Sequence, residues 1–278
     1  MALPAAVGFD RWQATLELAY ARRGPATVPV LRRHQGPLRV QKHFHPEGPE
    51  VCHHILVHPP GGIAGGDALR MDIELGTDAA ALITSPGAAK WYRGTAEATL
   101  EVTQRLAGGA VLEWLPLETI LYSGARCHIR NRIELAGTAR LLYTDVLCLG
   151  RPGSGERFAA GYWRQSSEIR RDGRLLWCEQ ALLEGGDPLQ TAQVGLGGAT
   201  VLGMLLWVGA PLPDDLIAAC RDLPLRGRGG VTQLPALFSA RCLCDSTEEA
   251  LRWLRALWTL LRPPLLGRAA VPPRIWAT

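Results

Sequence analysis

The chain is predicted to be mainly β, with two helices confined to its last third. Three observations carry that prediction: short runs of alternating apolar and polar residues recur up to about residue 186, Gly/Pro turns separate them, and helical periodicity shows only beyond residue 211. The strands are too many and too short for an ordinary α/β fold, which leaves a large sandwich, a barrel or a β-solenoid. No fixed repeat period chooses among these. With 278 residues and 47% hydrophobic content the chain can bury a sizeable core. The organisation expected is one domain over 1–278, strand-rich over 1–210 and helix-containing over 211–278.

Strand patterns open at 15–21 and 27–31 and continue at 52–57, 69–75, 79–84, 98–106 and 111–115. In 69–75, Leu69, Met71, Ile73 and Leu75 alternate with Arg70, Asp72 and Glu74. The clearest alternation is 126–135, where Cys127, Ile129, Asn131, Ile133 and Leu135 share one face and Arg126, His128, Arg130, Arg132 and Glu134 the other. Residues 141–149 form an apolar strand-like run. Residues 162–170 and 174–182 read as a hairpin whose Asp172-Gly173 turn supplies positive φ. A short helix is predicted over 213–223 and a longer one over 247–261. The second starts at a Ser246/Glu249 capping box, carries an apolar stripe of Ala250, Leu251, Leu254, Leu257, Trp258 and Leu261, and is expected to stop at Pro263-Pro264. The Arg/Gly-rich run 226–230 reads as a mobile loop, too short for an RNA-binding tract.

A formal charge of +4, spread without basic blocks, disfavours nucleic acid as a partner. Only Lys42 and Lys90 are lysines, a usage that genome base composition alone can produce, and one that leaves surface ion pairs to arginine. Seven scattered cysteines and an N-terminus lacking a basic region followed by an apolar signal segment predict a reduced, cytoplasmic protein. Cys242-x-Cys244 has no second pair or histidine close in sequence and reads as two small core residues. The apolar stretch 199–210 is too short for a bilayer, which needs about 20 residues, so no membrane span is expected.

The most informative run is His58-Pro59-Pro60-Gly61-Gly62-Ile63-Ala64-Gly65-Gly66-Asp67, whose glycines and prolines fix an irregular path ending on a carboxylate. A strand follows it instead of a helix, and no Gly-Lys-Ser/Thr is present, so it is not a nucleotide cradle. Asp67 is either a turn residue capping its own backbone or a functional carboxylate. Six of the seven histidines lie between His34 and His58. In an extended segment His43 and His45 project to one side, whereas His53 and His54 point to opposite faces, which argues against one compact metal cage. Glu113, Glu118, Asp145 and Glu179 lie in or beside strand-like runs. Carboxylates there either face solvent or point inward, where a cation, a hydrogen bond or internal water must offset burial. Inward carboxylates without a nucleophile suggest cation handling more than bond breaking.

In these residues the chain resembles the urease accessory protein UreD (UreH) family over nearly its whole length. The resemblance rests on Gly36-Pro37-Leu38 with Gln41, the decapeptide 58–67, Ala89-Lys90-Trp91-Tyr92-Arg93, and Glu113-Trp114-Leu115-Pro116 with Glu118-Thr119-Ile120. Leu149-Gly150-Arg151, Gly155-Glu156-Arg157-Phe158 with Gly161, and Pro273-Arg274-Ile275-Trp276 complete it; Leu117 departs from the glutamine expected there. The resemblance implies a superhelical, solenoid-like β architecture. It also implies a non-catalytic maturation factor that binds apo-urease with UreF and the GTPase UreG and passes nickel through an internal tunnel. Ni²⁺ would be a transient cargo, with no tightly bound cofactor, and a conduit that must release it suits carboxylates and waters better than a Cys/His cage. Asp67, Asp145 and Glu179 are the expected conduit carboxylates, Glu118 a further one, and His58 the expected histidine; the two C-terminal helices are the candidate surface for UreF. Two other readings stay open: a metal-dependent hydrolase using the His43/His45/Asp67 region, and a purely structural adaptor.

Overall fold

The structure is a computed structural model that describes residues 11–277. β1 (Gln13–Arg23) and β2 (Ala26–Gln35) pair antiparallel, as do β3 (Arg39–Val40) and β4 (Val51–Val57). The chain then passes back and forth between two sheets through β5 (Ala68–Leu75), β6 (Ala80–Thr84), β7 (Ala89–Trp91), β8 (Ala98–Leu106), β9 (Val111–Leu115), β10 (Thr119–Leu121), β11 (Arg126–Leu135) and β12 (Arg140–Leu149). β13 (Tyr162–Arg171) and β14 (Arg174–Glu184) form the predicted hairpin, with Asp172 and Gly173 both at positive φ. β15 (Val201–Val208), α1 (Asp214–Arg221), β16 (Arg228–Gln233), β17 (Phe238–Cys244) and α2 (Thr247–Leu266) follow.

One sheet has the order β14-β13-β11-β8-β5-β1-β2. The other runs β16-β17-β15-β12-β9-β6-β4-β3, with β10 paired to β12 and β7 to β10. The strands entered by crossing between sheets pair in parallel, and the hairpins at the ends pair antiparallel. Leu69, Leu100 and Ile129 stack in register in the first sheet, and His53, Leu82, Glu113 and Leu142 in the second, at steps of 29 to 31 residues. No period is visible in the sequence because a stacked column holds residues as unlike as His53, Leu82 and Glu113.

Apolar side chains of both sheets meet between them, including Leu16, Leu69, Ile73, Ile83, Leu112 and Leu141. A second core lies between the larger sheet and the helices, where Ala250, Trp253, Leu254, Leu257, Trp258 and Leu261 of α2 are buried. The outer face of the smaller sheet is polar. Arg70, Glu101 and Arg130 lie across from one another on adjacent strands, as do Glu74, Arg105, Glu134 and Arg170. Such exposed pairs add little stability each, but opposite charges across parallel strands favour this register over a slipped one.

Two expectations are corrected. α2 does not stop at Pro263-Pro264 but continues to Leu266, ending at Gly267, whose φ of 69° lets its N–H reach the Pro263 carbonyl at 2.9 Å. The prolines remove two donors from the last turn, and Arg262, fully buried just before them, anchors that turn to the sheet. Only the start of the run 226–230 is a loop: Arg226 and Gly227 form a bend, and Arg228 to Gln233 form the edge strand β16, antiparallel to β17. A Cβ at Gly229 would lie 2.7 Å from the Arg241 carbonyl, so the glycine content that suggested mobility is what admits the strand. The apolar stretch 199–210 contains β15, between β12 and β17. Among the described residues no helix is long and apolar enough to cross a membrane.

Candidate functional site

The Gly/Pro decapeptide leaves β4 in a turn in which the Gly61 N–H donates to the His58 carbonyl at 3.0 Å, with Gly61 at φ 76°. Gly62 lies under the Tyr92 ring, where a Cβ would come within 2.2 Å of Cε2. Ile63 pairs with the strand beside it, its N–H donating to Lys90 O (2.7 Å) and its carbonyl accepting from the Tyr92 N–H (2.8 Å). Gly65 meets Gly94 backbone to backbone: a Cβ on Gly94 would lie 2.7 Å from Gly65 Cα. Asp67 then closes the loop, one carboxylate oxygen accepting from the Ala64 N–H (2.8 Å) and the other from the Trp12 N–H (3.0 Å). Its two oxygens are thus engaged by backbone donors, the turn-capping alternative of the sequence reading.

Two more motif segments join this loop. The Leu117 N–H donates to Ser85 Oγ (2.9 Å) and the Ala89 N–H to the Glu118 carbonyl (2.8 Å). Together, His58, residues 61–63, residues 85–90, Pro116, Leu117 and Thr119 border a cavity of about 390 Å³ between the sheets. His58 faces it with a buried Nε2 that no other group bonds. Burial lowers the His58 pKa, opposed by the Asp67 charge, so the imidazole is neutral at neutral pH.

Asp145, on β12, belongs to the wall of this cavity and also to that of a second one of about 510 Å³. The second cavity lies toward β14, β15 and β17 and is lined further by Gln165, Glu179, Met204 and Arg241. Asp145 accepts a hydrogen bond from Gln165 Nε2 at 2.7 Å. Burial raises its pKa; the Gln165 bond opposes that rise and the charge of Glu179 adds to it. Glu179 accepts from Arg241 Nη2 at 2.7 Å, and the same guanidinium lies 5.3 Å from the Trp177 ring centroid.

The structure therefore brings His58 and Asp145 to one cavity and Asp145 and Glu179 to the next. Glu118 stands between Leu117 and Thr119, which face the first cavity, and is itself directed elsewhere, near Arg255 and Cys148. The histidines to its N-terminal side form a separate cluster. The His43 ring lies 5.6 Å from that of His45 and 5.7 Å from that of His54. His45 Nε2 donates to the Thr27 carbonyl (2.8 Å), and His54 Nδ1 shares a 2.6 Å hydrogen bond with the Tyr20 hydroxyl. His53 points to the other face of β4 and bonds Glu47 at 2.6 Å. With Asp67 held by backbone, the His43/His45/Asp67 set of the hydrolase reading is not assembled, and among the described residues no group of three or more His, Cys, Asp or Glu could hold a metal ion.

Sequence reasoning missed Gln165 and Arg241. Each had a signal: Gln165 alternates with Trp163 and Ser167 on the inward face of β13, and Arg241 is the one cation in the apolar strand β17. It also missed that Glu113 is structural. Glu113 bonds Arg262 Nε (2.9 Å) and Trp258 Nε1 (2.7 Å), and Arg262 reaches Glu47 at 2.6 Å. Cys242 and Cys244 are buried with raised thiol pKa values, which fits core residues rather than ligands or a redox pair. Trp276 of the C-terminal motif donates to Thr84 Oγ1 (2.8 Å) and stacks edge-on with Trp258.

What this arrangement offers is two inter-sheet cavities that share Asp145 in their walls, with a neutral imidazole in the first and a second carboxylate, Glu179, in the other. Comparison with known proteins gives it a family. The model of the UreD urease accessory protein family matches residues 13–277. The chain is 56% identical to the urease accessory protein UreD of Pseudomonas aeruginosa PAO1 over 278 residues, covering 100% of this chain and 99% of that protein. It is 53% identical to its counterpart in Pseudomonas fluorescens Pf-5 over 280 residues, covering 100% of both. The chain belongs to the UreD family of urease accessory proteins, a family of maturation factors and not of catalytic enzymes.

Proposed function

We propose that this chain helps deliver nickel to apo-urease, in the cytoplasm and in a complex with UreF and UreG, and that the two inter-sheet cavities are the path the ion takes. The observation that carries this reading is the position of Asp145 in the wall of both cavities. A carboxylate burdened by burial gains from an arriving divalent cation, because the ion replaces solvation that the protein has removed. Its hydrogen bonds come from neutral amides, the Gln165 side chain and the Val146 backbone, so no competing cation has to leave it. Carboxylate and neutral imidazole donors spread along a route bind a divalent ion loosely enough to release it. His58 lies toward the Gly/Pro loop and Glu179 toward the opposite end, and Asp145 is the exchange point between them.

Asp67 serves this route indirectly, by shaping the loop that borders the first cavity. Glu118 lies on neither cavity wall and is not part of the route as proposed. UreF meets the C-terminal helices through their charged outer surface, where Arg252 pairs with Glu248 and Glu249, since the apolar stripe of α2 is consumed by its own sheet. The test is the nickel content and specific activity of urease purified from cells lacking this chain, with and without its restoration. Nickel-poor, inactive urease that the restored chain rescues supports the proposal. Fully metallated urease in its absence overturns it.

A further inference from the structure

At the far end of the second cavity, Glu179 is already occupied: its Oε1 accepts from Arg241 Nη2 at 2.7 Å. Arg241 extends from β17 beside Met204, whose Sδ is 3.7 Å from the same nitrogen, and its guanidinium lies 5.3 Å from the Trp177 centroid. Asp145, Met204 and Arg241 face one another across β12, β15 and β17, so the arginine projects from the same row of the sheet as the buried carboxylate. Half of the Arg241 side chain remains accessible, against a third of Glu179. A guanidinium bound to a carboxylate removes that carboxylate from the donors open to a metal ion, and its charge repels a dication nearby.

We infer that Arg241 is a gate: it holds Glu179 as an ion pair and must release it before a divalent cation can pass from Asp145 to that end of the cavity. This rests on the cavities being the cation path. A pair this exposed is weak and exchanges readily. A partner that presents a carboxylate to the accessible face of Arg241 would free Glu179 and hold the gate open, whereas in the isolated chain the ion pair is the resting arrangement. Arg241 is thus a positioning residue that sets when Glu179 becomes a ligand.

The experiment is a calorimetric titration of Ni²⁺ into the purified full-length chain at one fixed pH, with the melting temperature of each variant as a control on folding. Arg241→Gln is expected to bind Ni²⁺ on the order of ten-fold more tightly than the unaltered chain. Arg241→Lys should stay near the unaltered value, because it retains the cation beside Glu179. Glu179→Gln in the Arg241→Gln background should cancel the gain. Equal affinity in Arg241→Gln and the unaltered chain, or a gain that survives Glu179→Gln, overturns the gate. If in addition Asp145→Asn still lowers affinity, the cation path stands without it. Nickel binding indifferent to Asp145→Asn and Glu179→Gln alike overturns the path itself.

Discussion

Burial raises the Asp145 pKa above the ordinary carboxylate value, so the folded state disfavours its charged form. The sign follows: a carboxyl whose folded pKa lies above its unfolded one destabilises the fold above the unfolded value, and acidification relieves it. Asp145→Asn keeps an acceptor for Gln165 and should therefore stabilise the chain, by roughly 1 kcal/mol at pH 7 in urea denaturation. The histidines have the opposite dependence. Burial pushes His54 down to about 3, and it lowers His43 and His58 as well. The unfolded state then binds more protons, and stability is lost as pH falls below about 6.5, the ordinary value for histidine. Between pH 7.5 and 5 the unfolding free energy should fall with a slope approaching ~1.4 kcal/mol per pH unit from His54, with His43 and His58 adding in the same direction. His54→Asn should flatten that slope. A third prediction concerns Arg262, fully buried between Glu113 and Glu47. Arg262→Met leaves two carboxylates without their cation and should cost about 3–5 kcal/mol, measured by urea denaturation. Little of this was legible beforehand. The inward carboxylates Asp145 and Glu179 stood out as charges in apolar strands, but Arg262 lies 149 residues from Glu113 in sequence, and no local pattern links them.

At the scale of elements, local chemistry decided most outcomes. Strands with strict alternation, such as β5 and β11, lie where the pattern placed them because one face meets the core and the other meets water. The Asp172-Gly173 turn and the Ser246 cap, whose Oγ accepts from the Glu249 N–H at 3.3 Å, likewise follow from short-range rules. Prediction failed where tertiary contacts override propensity: in β16, admitted beside β17 by Gly229, and in the last turn of α2, carried through two prolines. The decapeptide was recognisable as a constrained path, but the reason for Gly65 was not, because its neighbour is Gly94, about thirty residues on. Gly65→Ala forces a Cβ against that backbone and should destabilise by about 1–3 kcal/mol. Gly94→Ala strikes the same contact, so thermal melts of the two single variants and the double variant should show non-additive losses.

For the whole molecule, the winding of the chain between two sheets does what no single element does. Parallel strands stacked at steps of 29 to 31 residues place two cavities between the sheets, and the loops at strand ends border the first of them. The class, mainly β with two late helices, was legible because it depends on local periodicity. The pairing order was not, because each column of the stack mixes residue types. The resemblance supplied the family and the expectation of a tunnel; His58, Asp145 and Glu179 line the two cavities, whereas Asp67 is held by backbone donors and Glu118 lines neither. The most direct measurement is the nickel content per active site of urease matured in cells whose only copy of this chain carries Asp145→Asn, with co-purification of the accessory complex measured alongside. The predicted result is urease that has lost most of its nickel and activity while the complex still assembles, from a variant at least as stable as the original. Urease fully loaded with nickel by the Asp145→Asn chain would contradict passage along this route.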